Sequence, residues 1–114
     1  MSSITLSIDV AHPPRRSDVV ESELQEAVSK VRNSSSLRVL KIIHGHGSTG
    51  KGGSSKDVVR NWIFRNRNRV RAVIDGEEFD LFDANTQAMR IEAGHFADID
   101  LGKANPGITI VWIK

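Results

Sequence analysis

The stretch LRVLKIIHG at residues 37–45 decides the fold of this 114-residue chain. Five of its nine residues are large and aliphatic, and they form a nearly continuous apolar run. Such a run is typical of a central strand that is buried on both faces of its sheet. The histidine and glycine that end it therefore begin a loop at the carboxyl end of a buried strand.

Upstream of this stretch, the chain predicts one strand and one helix. ITLSIDV at residues 4–10 alternates apolar and polar side chains, the pattern of a half-buried strand. Residues 17–32 carry an apolar stripe at helical spacing, formed by Val20, Leu24, Ala27, Val28 and Val31. Asp18 and Glu21 have the spacing of a capping box at the start of this helix. Strand, helix and strand in this order predict a right-handed βαβ unit.

Downstream, residues 54–66 predict a second helix, with Ser54 and Asp57 at capping-box spacing. Residues 69–75 and 107–113 predict two further strands, the second of them dense in β-branched residues. Between these strands lies an insertion at about residues 76–106, in which EEFDLFD suggests a short strand. Residues 84–94 suggest a helix that is capped by Asp83 and stopped by Gly94.

The predicted fold is a single α/β domain over residues 1–114, in the order β-α-β-α-β-(insertion)-β. We expect a four-stranded mixed sheet with two main helices. Trp62 and Trp112 are assigned to the core rather than to base stacking, and Asp98 and Asp100 to a surface acid pair rather than to a metal site.

Composition restricts the classes of function. The chain has no cysteine, which excludes disulfide scaffolds, thiolate zinc sites and cysteine nucleophiles. No apolar run approaches 18 residues, so we expect no membrane span and no membrane partner. The first residues lack the pattern of a signal peptide, and together with the absence of cysteine this indicates a cytoplasmic protein. The formal net charge of +2 hides a basic block at residues 51–71 and an acidic block at residues 75–100. The basic block indicates either a polyanionic partner or a solvated helix face.

The loop IHGHGSTGKGG at residues 43–53 has three interpretations. Gly45 to Lys51 match the nucleotide-binding pattern G-x-x-x-x-G-K, but Gly52 stands where a Ser or Thr should bind Mg²⁺. The second interpretation is a flexible connection. Five glycines in nine positions, however, carry a high conformational-entropy cost for a mere turn. The third interpretation is a phosphate site for nucleic acid, in which backbone amides form an anion-binding nest and lysines add charge.

The chain resembles the small MutS-related (Smr) domain family, on motifs that span nearly all of it except residues 76–106. His44-Gly45-His46-Gly47 is similar to the family's H-G-x-G motif, and Thr49-Gly50 follows it as in the family. The remaining matches are Val59, Trp62 and Ile63 in the following helix and Gly107, Thr109 and Val111 in the last strand. The resemblance implies a fold like the C-terminal domain of a translation initiation factor.

The resemblance also implies binding to DNA or RNA, and it implies that the chain is a possible endonuclease. The family's second motif, L-D-x-H, is only partly matched. Asp9 fits, but Ala11 stands at the histidine position and His12 comes one place late. A β-bulge would re-aim His12. Otherwise the chain is an inactive adaptor that binds nucleic acid or protein, and the third alternative is the nucleotide-binding protein.

The predicted site combines acid–base groups with phosphate ligands. One histidine would activate water or a ribose 2′-hydroxyl, and another would protonate the leaving oxygen. The candidate catalytic residues are Asp9, His12, His44 and His46. The candidate phosphate-binding residues are Gly45, Gly47, Thr49, Gly50, Lys51, Lys56 and Arg60. No cofactor or metal is indicated, although a divalent metal is compatible with the chemistry, and we expect a monomer.

Overall fold

The computed structural model describes residues 4–45, 55–94 and 98–114. The strands are β1 (Thr5–Asp9), β2 (Val39–Ile43), β3 (Val70–Asp75) and β4 (Ile108–Ile113). The helices are α1 (Ser17–Arg32), α2 (Ser55–Arg65) and α3 (Ala84–Glu92), with short 3-10 helices at Arg67–Arg69 and Gly76–Glu78. All four strands lie at the predicted places, and the predicted α/β fold class is confirmed.

The four strands form one mixed sheet in the order β1-β2-β4-β3. β1 pairs with β2 in parallel, and β4 is antiparallel to both β2 and β3. The carboxyl ends of β1, β2 and β3 and the amino end of β4 therefore lie at the same edge of the sheet, which we call the loop edge. The opposite edge, where β1, β2 and β3 begin and β4 ends, is called the basic edge.

The helices α1 and α2 cover one face of the sheet. Their buried residues pack against Leu40, Ile42, Val111 and Ile113 of the two central strands. Trp62 of α2 belongs to this cluster and is only 5% exposed, as the assignment to the core predicts. The apolar stripe predicted for α1 is buried in full.

The described residues of the segment 76–106 cover the other face of the sheet. Phe79 and Met89 of this segment pack with Val39, Ile110 and Trp112 in a second buried cluster. The segment predicted as an insertion thus supplies the apolar layer that the second face needs, which explains why all six residues of β4 are buried. The strand suggested for EEFDLFD is wrong, because Gly76–Glu78 forms a 3-10 helix and Asp80 holds the turn that follows it.

Two helix caps differ in outcome. Asp83 caps α3, and its carboxylate accepts a hydrogen bond from the Thr86 N–H at 2.9 Å, as predicted. The capping box of α1 is wrong, because the helix begins at Ser17 after Arg16, and no side chain accepts a cap hydrogen bond there. Asp18 lies inside the first turn, where its negative charge interacts favourably with the positive end of the helix dipole. The cap predicted at Ser54 lies outside the described residues.

Candidate nucleic-acid site

The loop edge collects polar residues from all four strands. Asp9 ends β1, His44 follows β2, Asp75 ends β3 and Thr109 lies near the start of β4. This convergence follows from the topology, because the ends of parallel strands meet where an antiparallel strand begins. Ligand sites in open α/β sheets commonly form at such an edge.

Asp9 and His12 form a hydrogen-bonded pair at the end of β1. The Asp9 carboxylate accepts hydrogen bonds from the Ala11 and His12 backbone N–H groups at 2.9 and 3.0 Å. This turn brings the His12 ring back, and its Nδ1 lies 2.9 Å from Asp9 Oδ2. The predicted bulge is therefore not what aims His12, since β1 and β2 stay in continuous register from Thr5 to Asp9. An aspartate turn does so instead.

The pairing with Asp9 sets the chemistry of the His12 ring. A carboxylate only accepts hydrogen bonds, so Nδ1 donates and Nε2 of the neutral ring carries the lone pair. The His12 side chain is 68% exposed. Burial opposes a low pKa for Asp9, but the hydrogen bonds from Ala11 and His12 and the His12 charge lower that pKa. Asp9 is thus the ionised partner that orients an exposed imidazole, the arrangement of a general base.

His44 is buried, and both of its ring nitrogens are engaged. Nδ1 donates to the Gly45 carbonyl at 2.8 Å, because a carbonyl only accepts. Nε2 lies 2.8 Å from the Thr109 hydroxyl, which therefore donates to it. Burial lowers the pKa of His44, and the nearby charges of Arg60 and Lys56 lower it further, against the opposing effect of the Gly45 carbonyl. His44 is a neutral ring that fastens β2 to β4.

The two histidines therefore belong to separate groups. Asp9 is in register with Ile43, which packs in the cluster beneath residues 76–106. His44 follows Ile43 directly after the end of β2, and its partner Thr109 precedes the buried Ile110 on β4. In the described part of the chain, the hydrogen bonds link His12 to Asp9 and His44 to Thr109, with none joining the two pairs.

The start of the glycine loop is fixed to β4. The backbone N–H groups of His44 and Gly45 both donate to the Gly107 carbonyl, at 2.9 and 3.1 Å. Gly45 has a φ of +76°, a conformation that L side chains rarely adopt. A Cβ at Gly45 would lie 3.9 Å from the Cβ of Ala11, so the two predicted motifs are neighbours. The residues His46, Gly47, Thr49, Gly50 and Lys51 lie outside the described residues.

Lys56 and Arg60 face acidic partners. Lys56 Nζ lies 3.4 Å from Glu77 Oε2, and Arg60 contacts both Glu77 at 3.1 Å and Asp75 at 3.4 Å. Burial opposes a low pKa for Glu77, but its hydrogen bonds with the backbone, Arg60 and Lys56 and the charge of Arg60 lower that pKa. A phosphate that binds here must therefore compete with two carboxylates for these cations.

Several functional partners were not identified from the sequence. Thr109 was noted only as part of a strand pattern, and Glu77 only as part of the acidic block at residues 75–100. The interpretation of Asp98 and Asp100 as a surface pair is wrong, because both carboxylates bind the buried Lys41 Nζ. A lysine in the middle of an otherwise apolar strand was the signal for such a partner.

Metal binding finds no support in the described ranges, where no group of three or more His, Asp or Glu side chains is arranged to hold an ion. None of the helices in those ranges is long and apolar enough to cross a membrane. Comparison of the chain with known protein families, with curated proteins and with solved structures finds no match.

Proposed function

We propose that this chain is a nucleic-acid-binding domain of the Smr type, with its site at the loop edge. The observation that carries the proposal is the contact between the ends of β1 and β2. The Val10 N–H donates to the Ile43 carbonyl at 2.9 Å, and Ala11 approaches Gly45. The partial L-D-x-H motif and the first two residues of the H-G-x-G motif, His44 and Gly45, are thus adjacent in space, although more than thirty residues separate them in sequence.

The topology also supports this proposal. The order of strands and helices is the one that the resemblance implies, with residues 76–106 added on the second face of the sheet. The proposal includes a fold like that of the C-terminal domain of a translation initiation factor. It also includes binding to DNA or RNA in the cytoplasm.

For an endonuclease, the geometry favours His12 as the general base. Its Nε2 lone pair would take a proton from water or from a ribose 2′-hydroxyl, and Asp9 would stabilise the imidazolium that forms. His44 would then act in structure rather than in proton transfer, since Gly45 and Thr109 engage its ring. The candidate for the proton donor to the leaving oxygen is then His46, which lies outside the described residues.

An adaptor without catalysis is the second candidate function. It is favoured by the burial of His44, which removes one of the three candidate catalytic histidines from the solvent. A nucleotide-binding protein is a third candidate, and it alone predicts Mg²⁺-dependent affinity for ATP or GTP.

The first test is a salt titration of binding to single-stranded and duplex DNA and RNA. We expect affinity to fall linearly with salt on logarithmic axes, and Lys51→Gln to reduce the slope by about one phosphate contact. Lys30→Gln is the matched control, since it removes the same charge from the exposed surface of α1. Binding that is absent, or that does not depend on salt, contradicts the proposal.

The second test separates the endonuclease from the adaptor. We expect His12→Gln to reduce cleavage by about 10²–10⁴-fold while affinity stays within about twofold, because the ring acts in proton transfer. Full cleavage by the variant would exclude His12 as the base. Salt-dependent binding by a wild-type protein that cuts no substrate would identify the adaptor.

A further inference from the structure

A positively charged cleft lies at the basic edge, so it is at the opposite ends of the strands from the proposed site at the loop edge. Its volume is about 400 Å³, within the range of small-ligand sites. Three cationic side chains, Arg38, Arg71 and Lys114, line it together with Glu92 and Trp112. Arg38 precedes β2, Arg71 lies near the start of β3 and Lys114 follows β4, so the sheet itself brings the three charges together.

Two of these cations are held in place without an acidic neighbour that neutralises them fully. The Arg38 guanidinium donates to the carbonyls of Leu37 and Ser35, at 2.8 and 3.2 Å. The Arg71 guanidinium carbon lies 5.3 Å from the centre of the Trp112 ring, a cation–π distance. Each interaction orients a guanidinium group, and a carbonyl or an aromatic ring leaves its positive charge in place.

The one acidic residue in the cleft balances only part of the charge. Arg71 Nη1 lies 3.8 Å from Glu92 Oε2, with both side chains more than half exposed. An ion pair of that length and exposure is weak and easily displaced. Lys56 and Arg60 at the loop edge differ, since they are mostly buried and lie closer to Glu77 and Asp75. The charged side chains that line this cleft, three positive and one negative, sum to about +2.

We propose that this cleft binds a phosphate monoester. A terminal phosphate carries about −1.5 to −2 charges near pH 7, which matches the local charge of the cleft. The planar guanidinium forks of Arg38 and Arg71 suit bidentate contacts with phosphate oxygens. A phosphodiester carries only one charge, so the cleft should prefer the end of a nucleic-acid strand, or a mononucleotide, over the interior of a strand.

The test compares a 5′-phosphorylated oligonucleotide with the same oligonucleotide that ends in a 5′-hydroxyl, using the whole chain. We expect the phosphorylated strand to bind about tenfold more tightly, and Arg71→Gln and Lys114→Gln each to remove most of that preference. Arg67→Gln is the matched control. It removes an equal charge from an exposed arginine that stacks on Phe64, outside the cleft, and it should weaken both strands equally.

Two further measurements identify the source of the phosphate. A nucleoside 5′-monophosphate that displaces the phosphorylated strand and shifts the NMR signals of Arg71 and Trp112 would show that the cleft binds free monoesters. Preference for the phosphorylated strand without such displacement would show that it requires the strand end. Equal affinity for both oligonucleotides with no signal shift at Arg71 and Trp112, or an equal loss of preference in Arg67→Gln, overturns the proposal. This cleft is independent of the site at the loop edge, so either can fail alone.

Discussion

At the scale of single residues, two histidines with the same tautomer have opposite surroundings. Each ring donates from Nδ1 to an oxygen, His12 to a carboxylate and His44 to a carbonyl. His12 keeps its Nε2 on an exposed side chain, whereas Nε2 of His44 meets the Thr109 hydroxyl in the interior. Histidine thus supplies a candidate base after β1, as His12, and a structural link after β2, as His44.

Stability should fall as the pH drops from 7 to 5, because His44 is buried as a neutral ring. Burial holds the folded pKa of His44 below the unfolded value of about 6.5. Below that pH the unfolded chain binds a proton at His44 more readily than the folded chain does, so acidification favours unfolding. The free energy of unfolding should decrease by at most about 1.4 kcal/mol per pH unit, the slope for one proton.

Urea unfolding at several pH values measures this slope, and NMR titration of the His44 ring measures the pKa directly. The carboxylates of Asp9, Glu77 and Asp100 also have lowered pKa values, but their contributions are lost only near and below pH 4.5. Those carboxylates therefore do not account for a slope between pH 5 and 7, and the NMR titration assigns the part of the slope that belongs to His44. A ring that titrates at or above the ordinary histidine pKa, or a stability that stays flat, would contradict this account.

At the scale of elements, the junction after β3 depends on a glycine. Gly76 follows the last residue of β3 and begins a 3-10 helix. A Cβ at this position would lie 1.9 Å from the Asn105 carbonyl oxygen, 2.6 Å from Ile108 Cγ1 and 2.8 Å from the Ile108 carbonyl oxygen. Two of these three atoms belong to backbone, which cannot rotate away. Gly76 thus lets the segment that follows β3 approach the start of β4.

We expect Gly76→Ala to destabilise the fold by about 1–3 kcal/mol or more, because an extra methyl group must displace backbone. Gly102→Ala is the control. Unlike Gly76, Gly102 has a positive φ, of +81°, but a Cβ there meets nothing within 4 Å. That variant should therefore cost only the backbone strain of about 1–2 kcal/mol. Urea unfolding of both variants tests the difference, and a smaller loss at Gly76 than at Gly102 would contradict the close approach.

The strands and helices were predictable because their side-chain periodicity is strong. β-branched residues mark β2 and β4, and the apolar stripe of α1 is regular. Residues 76–106 lack such a period, because their path is set by two apolar contacts, at Phe79 and Met89, and by side-chain hydrogen bonds in turns. Asp80 bonding to the N–H groups of Phe82 and Asp83 is one such turn, and a strand pattern does not reveal it.

The site was predictable only in part. Sequence order places Asp9 and His44 at strand ends, and the structure brings their segments together. Spacing alone does not show that the Asp9 turn returns His12 to Asp9, nor that His44 is buried against Thr109. Both results depend on side-chain direction at the end of a strand, which changes with a single residue.

At the scale of the whole molecule, the acidic and basic blocks of the sequence partly neutralise each other. Glu77 and Asp75 contact Lys56 and Arg60, and Glu92 contacts Arg71. The charge asymmetry along the chain therefore overstates the charge of the folded surface. Among the described residues, Arg38 and Arg71 at the basic edge contact carbonyls and an aromatic ring, which leave their positive charge in place.

A buried lysine connects the sheet to the layer that covers its second face. Lys41 Nζ lies 2.9 Å from Asp98 Oδ1 and 2.6 Å from Asp100 Oδ2. Asn105 extends this network, donating from Nδ2 to Asp100 and accepting from the Gly107 N–H. Burial opposes a high pKa for Lys41, but the two carboxylates raise that pKa, so the lysine stays charged throughout the neutral range.

Replacing Lys41 should test whether this network stabilises the fold or only specifies it. Lys41→Met leaves two carboxylates, only 11% and 16% exposed, without their cation. We expect a loss of about 3–5 kcal/mol in the free energy of unfolding, the typical effect of breaking a buried ion pair. Adding Asp98→Asn and Asp100→Asn to Lys41→Met should recover most of that loss, since no buried charge then remains unpaired.

Urea unfolding of the single and triple variants measures both effects, and Lys30→Met on the exposed surface of α1 should change stability by no more than about 0.5 kcal/mol. A triple variant as stable as the wild type would mean that the charges select the position of residues 98–106 rather than hold them there. If Lys41→Met alone costs no more than Lys30→Met, the two carboxylates are solvated in the folded chain, and the network does not connect the layers.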